Sequence, residues 1–127
     1  MGFKFSKRSL RELEGIHPDL RKVVDLTLAI TDIDFIITDG LRTKEEQKIL
    51  IAKGASKTMK SRHLTGHAVD FVAYKNGTVS YNFSDMKTIG EAFKQAGKRL
   101  GIAIEWGGDW KTFVDTPHVE LNRKVYP

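Results

Sequence analysis

The residues best suited to chemistry lie in one short segment and near the end of the chain. The segment Ser61-Arg-His-Leu-Thr-Gly-His-Ala-Val-Asp70 places the imidazole of His63 and the carboxylate of Asp70 seven residues apart across a glycine turn, and His118 is a third candidate. Two imidazoles and one carboxylate suit a catalytic zinc ion, because they leave a fourth tetrahedral position for water. An aspartate inside the apolar run Ala-Val-Asp-Phe-Val is costly to bury unless a cation meets it.

Other interpretations of these residues stay open at this point. Taken singly, His63 and His118 are more often surface or hydrogen-bonded histidines, and Asp70 could pair with a lysine. His63 and His67 have the spacing of the helical zincin motif, but a glycine between them disfavours a helix and a leucine stands where that motif needs glutamate. We therefore interpret His67 as a neighbour of the site and not as a ligand.

Helices and strands must position these residues, and the sequence predicts both. Apolar spacing and capping residues predict a helix over residues 18 to about 30, a helix opened by the capping box Thr43-Lys-Glu-Glu46 and ended by Gly54, and a helix from a Ser84 cap to Gly101. Runs rich in β-formers predict strands at residues 34–38, 67–74, 78–81, 102–106 and 118–121, with an ordered loop at 55–62. We expect one α+β domain over residues 1–127, a small antiparallel sheet with flanking helices.

Composition excludes several classes of protein. The 127 residues carry a net charge of +5 and include no cysteine, so disulfides, thiolate nucleophiles and iron–sulfur clusters are excluded. No stretch approaches the roughly 18 apolar residues that cross a bilayer. The basic residues are scattered and no nucleic-acid motif is present. A positive field of this size would equally favour approach to an anionic cell surface or wall polymer, although most of the lysines and arginines are explained as solvated residues that aid solubility. If the partner is a wall polymer, we expect Lys57, Lys60 and Arg62 to face it.

Several motifs in the same order resemble one family of zinc peptidases. Ser61-x-His63-x-x-Gly66-x-Ala68-x-Asp70 with Asp115-x-x-His118 resembles the VanY-like D-alanyl-D-alanine carboxypeptidases, in the wider group with lysostaphin-type enzymes and the hedgehog signalling domain. Gly40-Leu-Arg-Thr-Lys-Glu-Glu-Gln47, Glu105-Trp-Gly-Gly-Asp-Trp110 and Phe113-Val-Asp-Thr-Pro-His118 are more closely similar to L-alanyl-D-glutamate endopeptidases of phage endolysins. The likeness covers about residues 20–121.

The resemblance implies a role for each matching residue. His63, Asp70 and His118 match the zinc ligands, and Asp115 matches the general base, which is usually a glutamate. Arg42 matches the arginine that stabilises the polarised carbonyl oxygen. The resemblance also implies substrate-binding residues, with Ser61 beside the metal and with Trp106 and Asp109 shaping or bracing the cleft.

Three of these roles have rivals. Glu120 lies two residues beyond His118 on the same strand face, so it competes with Asp115 as the base. Arg42 could instead form a salt bridge at the start of a helix with Glu45 or Glu46. Trp106 and Trp110 are as readily explained as core anchors that flank a Gly-Gly turn.

The resemblance also implies a function. We expect a zinc-dependent peptidoglycan hydrolase that cleaves the L-Ala–D-Glu bond and serves as a phage endolysin. The alternatives are a D,D- or L,D-carboxypeptidase acting on stem peptides and a zinc-binding domain without turnover. The expected partner is peptidoglycan, with no nucleic acid and no integral membrane association, and we expect a monomer. Without a signal peptide, the protein is expected in the host cytoplasm until its release to the periplasm and wall.

Overall fold

The computed structural model describes residues 3–55, 59 and 61–127, and an antiparallel sheet of five strands forms its centre. The strands are β1 (Asp34–Asp39), β2 (Ala68–Lys75), β3 (Thr78–Ser80), β4 (Ile104–Trp106) and β5 (His118–Leu121). The α-helices are α1 (Lys7–Leu13), α2 (Pro18–Ile30), α3 (Lys44–Ala52) and α4 (Phe83–Leu100). Two short 3₁₀ helices cover Arg62–Thr65 and Gly107–Asp109.

The register of the sheet brings polar residues of three strands into one row. The strand order is β1-β2-β5-β4, and β3 pairs with the far end of β2. Asp39 of β1 and His118 of β5 are both paired with Asp70 of β2. Because paired residues in adjacent strands point to the same face, this row places the three side chains side by side.

The opposite face of the sheet packs on the core. Phe71 follows Asp70 in β2 and is fully buried, and its ring centroid lies 5.1 Å from that of Phe93 in α4. Val119 alternates with His118 in the same way and is also fully buried. Strand alternation thus separates a hydrophobic face under the helices from a polar face that is free for chemistry.

The structure confirms the α+β class and the antiparallel sheet, and it corrects some bounds. Asn82, and not Ser84, is the N-cap of α4, because its side chain accepts from the backbone N–H of Ser84 at 2.8 Å. Strand β4 begins at Ile104, since the N–H of Ile102 still bonds to Gly97 O in the last turn of α4. The predicted loop at 55–62 lies partly outside the described residues, as do Lys57 and Lys60.

Helix α1 is an element that the sequence analysis missed. Ser6 caps it by accepting from the N–H of Ser9 at 3.1 Å. The hydroxyl of Ser9 is buried and accepts from the N–H of Ile37 at 3.0 Å, which attaches the helix to β1. Within the described part of the chain, no helix has the length and apolar character needed to cross a membrane.

Candidate metal centre and cleft

Strand pairing and a glycine turn bring the three candidate ligands together. Asp70 and His118 face each other because they are cross-strand partners. His63 lies in the 3₁₀ helix that follows Ser61, whose hydroxyl accepts from the N–H of His63 at 3.2 Å. Gly66 ends that helix at φ +74°, and a side chain there would place its Cβ 2.9 Å from Gly15 O. Glycine is therefore required where the chain turns from His63 into β2.

The ligand atoms of His63, Asp70 and His118 converge on one point. Asp70 Oδ1 lies 3.2 Å from His63 Nε2 and 3.2 Å from His118 Nδ1. All three atoms lie within 4.8 Å of one another. Both histidines are buried, at 3% and 9% exposure. This spacing lets one ion contact all three atoms.

The other nitrogen of each imidazole is already bound to an acceptor. His63 Nδ1 donates to Gly40 O at 2.9 Å, and His118 Nε2 donates to Glu120 Oε1 at 2.8 Å. A neutral ring holds one proton, so both remaining lone pairs point at the carboxylate of Asp70. Three electron-rich atoms facing one another require a cation between them, and second partners of this kind typically orient metal-binding histidines. The donor set fits a metal ion.

The pKa values of Asp70 and His118 also indicate that the site favours a positive charge. Burial disfavours the charged form of Asp70, but its hydrogen bonds with His118 and His63 prevail and hold its pKa well below the usual range. For His118, burial opposes protonation, yet the hydrogen bonds to Asp70 and Glu120 raise its pKa to about 9. In the metal-free protein, a proton on the imidazole therefore supplies part of the charge that a metal would bring.

Glu120 lies behind His118, on the side away from Asp70. Its side chain is almost fully buried, with Oε1 on His118 and Oε2 accepting from Arg123 Nε at 3.2 Å. Arg62 Nε is 3.8 Å from the same Oε2. These contacts favour a role for Glu120 in orienting His118 over the alternative role of general base.

Arg42 is buried at the other side of the site and is held by three side chains. Its Nε donates to Asp39 at 3.1 Å and its Nη2 pairs with the same carboxylate, while Nη1 donates to Gln47 at 2.6 Å and to Ser61 at 3.4 Å. The alternative salt bridge to Glu45 or Glu46 is wrong, because the ion pair that Arg42 forms among the described residues is with Asp39, and Glu46 closes the capping box with Thr43. The sequence analysis missed Asp39 and Gln47. The signal for Asp39 is its proximity to Arg42 across the turn at Gly40, and the signal for Gln47 is its place at the end of the motif that contains Arg42.

Asp115 approaches the site on the loop between β4 and β5. Its N–H bonds to Gly107 O at 3.0 Å, and a Cβ at Gly107 would lie 2.2 Å from Asp115 O. Partial burial of its carboxyl group, and then the negative charge of Asp70, raise the pKa of Asp115. A carboxylate with a raised pKa is better matched to proton transfer near neutral pH.

The candidate residues share one cleft with a volume of about 440 Å³. Its walls include six of the predicted site residues: Arg42, Ser61, His63, Asp70, Asp115 and His118. Trp110 also lines it, with its ring centroid 5.3 Å from that of His118. The sequence analysis left Trp110 open between a core anchor and a residue of the substrate cleft, and its place in the cleft wall favours the second interpretation.

Trp106 and Asp109 lie away from these walls. Trp106 is buried in the core, and its Nε1 donates to Thr116 O at 2.8 Å, so it braces the loop that carries Asp115. Asp109 forms an ion pair with Lys94 at 2.9 Å. Both line a neighbouring pocket of about 230 Å³ that shares Trp110 with the cleft.

The expectation that Arg62 faces the wall is wrong. Its side chain is 11% exposed, and its Nη2 donates to Leu121 O at 3.1 Å and to Tyr126 O at 2.6 Å. The guanidinium thus fastens the last residues of the chain beside Glu120.

Comparison with known proteins identifies the family. A family model described as phage L-alanyl-D-glutamate peptidase matches residues 1–126. The chain belongs to this family. The L-alanyl-D-glutamate peptidase of Escherichia phage T5 is 39% identical over 130 residues, which cover 99% of this chain and 94% of that protein.

Solved structures agree with the family and with the fold. The crystal structure of the Serratia marcescens L-Ala D-Glu endopeptidase ChiX matches with a TM-score of 0.92 and 42% identity, over 99% of this chain and 95% of that one. A vancomycin-resistance D,D-dipeptidase in complex with a D-Ala-D-Ala phosphinate analogue matches with a TM-score of 0.54 and 17% identity, over 84% of this chain and 50% of that one. The second likeness extends to the fold alone.

Proposed function

We propose that this chain is a zinc-dependent peptidoglycan endopeptidase that hydrolyses the L-Ala–D-Glu bond of the wall stem peptide. The observation that carries the proposal is the convergence of His63, Asp70 and His118 in a cleft that also holds Asp115 and Arg42. Membership of the family supports the choice of bond, because its relatives are named for that peptidase activity.

His63, Asp70 and His118 would hold the zinc ion. A set of two imidazoles and one carboxylate is typical of catalytic zinc, and the absence of cysteine removes the usual structural zinc sites. Zinc bound there would supply Lewis acidity, which would lower the pKa of the attacking water to about 7 and polarise the scissile carbonyl.

Asp115 acts as the general base and then as the general acid. It takes the proton of the attacking water and delivers it to the leaving nitrogen, since an amine leaves readily only when protonated. Aspartate is one methylene shorter than the glutamate usual at this place in the wider group. The close packing of the Asp115 backbone on Gly107 supports this role, because it brings the shorter side chain to the cleft.

Arg42 stabilises the negative charge that develops on the carbonyl oxygen. A guanidinium stays charged throughout the working pH range. Asp39 and Gln47 hold its nitrogen atoms in place, so little reorganisation is needed when the charge appears. Ser61 contacts both Arg42 and the backbone of His63, and it links the oxyanion site to the metal site.

The shape of the cleft supports an endopeptidase over a carboxypeptidase. A second pocket of about 260 Å³ shares Asp39, Arg42 and Leu50 with the cleft, and the pocket beside Trp106 shares Trp110 with it. Substrate can therefore extend past the metal site in two directions. A carboxypeptidase would need one direction closed by a group that holds the terminal carboxylate.

The biological role that follows is lysis of the host wall by a phage. The single domain, expected to act as a monomer, would reach peptidoglycan after release from the host cytoplasm. The net charge of +5 favours its approach to an anionic wall.

Mass spectrometry of digested Gram-negative peptidoglycan tests this function. Purified, zinc-loaded protein should release stem peptides that begin with D-glutamate and leave L-alanine on the glycan. Free D-alanine as the only product would favour the carboxypeptidase. No product from a zinc-loaded, folded protein would favour the domain without turnover.

A further inference from the structure

The cleft is lined by three arginines that differ in what they already bind. Arg42 is held by Asp39, Gln47 and Ser61 and is assigned to the carbonyl oxygen, and Arg62 is buried with its Nη2 on two backbone carbonyls. The side chain of Arg123, in contrast, is 62% exposed. Of the arginines in the described walls of the cleft, Arg123 is thus the one with a mostly exposed side chain that the proposed mechanism does not use.

One guanidinium nitrogen of Arg123 donates a hydrogen bond within the protein, and the other two remain available to a ligand. Nε donates to Glu120 Oε2 at 3.2 Å, which fixes the side chain beside the metal site. Across the described residues, we find no acceptor on Nη1 or Nη2 of this guanidinium. The planar fork of an arginine matches a carboxylate with two parallel hydrogen bonds. This edge of the cleft is therefore built for an anion.

The proposed substrate offers such an anion, and the inference rests on the proposed function for that reason. A D-glutamyl residue has two carboxyl groups, of which one continues the peptide and the other is free. The free carboxylate lies on the leaving side of the scissile bond. We propose that Arg123 binds this carboxylate and so selects D-glutamate with an unmodified carboxyl group over its carboxamide.

A structural role for Arg123 predicts different behaviour. If it only braced Glu120, its removal would weaken the orientation of His118 and lower the metal affinity, whichever peptide is offered. If it binds the carboxylate, its removal leaves the metal affinity unchanged and acts on one substrate only. The exposure of its side chain favours the second role, and Arg62 Nε, 3.8 Å from the same Glu120 Oε2, leaves Glu120 a cationic neighbour when Arg123 is replaced.

The experiment uses two N-acetylated peptides that contain L-Ala–D-Glu and differ only in the free glutamyl carboxyl, which is a carboxylate in one and a carboxamide in the other. Both are offered to the zinc-loaded protein, to Arg123→Gln and to the control Lys124→Gln. Lys124 is the next residue, is exposed and does not line the cleft. KM and kcat are measured separately, and zinc affinity is measured by competition with a chelator.

We expect Arg123→Gln to raise KM for the carboxylate peptide at least about tenfold, because one hydrogen bond to a charged group contributes that much and the guanidinium fork offers two. Its KM for the carboxamide peptide, its kcat and its zinc affinity should stay unchanged, and Lys124→Gln should behave as the unaltered protein. An equal rise for both peptides, or a loss of zinc affinity, would overturn the proposal. If neither peptide is cut, the proposed function fails. Calorimetry then measures how tightly the unaltered protein binds each peptide. Equal affinities for the carboxylate and carboxamide peptides would overturn the proposed role of Arg123.

Discussion

Asp70 of β2 and His118 of β5 are paired across two antiparallel strands, with Asp70 Oδ1 3.2 Å from His118 Nδ1. The register of the sheet therefore fixes two of the three candidate metal ligands. A slip of one residue would turn one of these side chains into the core. His63 is fixed separately, by the glycine turn at Gly66 and by the carbonyl of Gly40.

Replacement of a ligand should remove the metal. His63→Ala takes away one of three donors, so we expect metal content to fall from about one zinc per chain to nearly none, with loss of wall lysis. Atomic absorption and a turbidity assay on wall preparations measure both. His67→Ala is the matched control, because the ring of His67 contacts Thr65 and lies outside the ligand set. Normal lysis by His63→Ala would end the metallopeptidase assignment.

Replacement of the base should spare the metal. Asp115→Ala should retain zinc and fold while kcat falls about 10²–10⁴-fold, the usual contribution of positioned proton transfer. Steady-state kinetics with metal analysis of the same sample test this. Asp25→Ala, at an exposed ion pair with Arg21 on α2, is the control and should keep full activity.

Glu120 should affect metal binding more than proton transfer. Glu120→Ala removes the acceptor on His118 Nε2, so zinc affinity should drop about 10–100-fold. Glu120→Gln keeps an acceptor oxygen and should lose less. If Glu120→Ala is inactive with zinc fully bound while Asp115→Ala works, the two roles must be exchanged.

Removal of the metal should make stability depend on pH. Hydrogen bonds to Asp70 and Glu120, acting against burial, raise the pKa of His118 from 6.5 to about 9. The metal-free protein gains stability from this shift below about pH 6.5 and loses it as the pH rises through 9, by at most about 3 kcal/mol. Urea unfolding of chelator-treated protein at pH 6 and pH 9.5 measures the change. The zinc-loaded protein should show no such loss, because the metal replaces the proton on the imidazole.

A side chain at Gly107 should disturb the base without disturbing the ligands. In Gly107→Ala the new Cβ meets Asp115 O at 2.2 Å, so the loop that carries Asp115 must move. A 1 Å misplacement can cost about 10²-fold in rate, and we expect a loss of that order in kcat with normal zinc content. Gly77→Ala, in the β2–β3 hairpin, meets nothing within 4 Å but is strained at φ +78°, so it serves as a control for a loss of stability away from the cleft. Equal kcat values for the two variants would show that the loop tolerates the shift.

Much of the fold could be predicted because local patterns and tertiary structure agree. The alternation around Asp70, with Val69 and Phe71 buried and Asp70 on the other face, is visible in the sequence. Helix α1 could not be predicted in this way, because its seven residues carry too little apolar periodicity. Its place depends on the hydrogen bond from Ile37 to Ser9, a contact between distant residues.

The candidate site was predictable in its residues but not in its contacts. Trp106 and Trp110 look alike in the sequence, but Trp106 ends a strand on the core face, paired with Val119, while Trp110 follows the 3₁₀ helix and reaches the cleft. Similarly, the sequence predicts that Arg62 is an exposed cation like its basic neighbours. Its burial depends on backbone carbonyls at the end of the chain, which no local pattern reveals.

The hydrogen bond from Arg62 to Tyr126 O matters for protein engineering. Tyr126 also donates its hydroxyl to Asp19 at 2.7 Å, so the last turn of the described chain is tied both to α2 and to the neighbourhood of Glu120. A peptide fused directly after Pro127 would strain these hydrogen bonds and disturb the surroundings of Glu120, which contacts His118. A flexible glycine–serine spacer at this junction would decouple the cargo from the catalytic machinery.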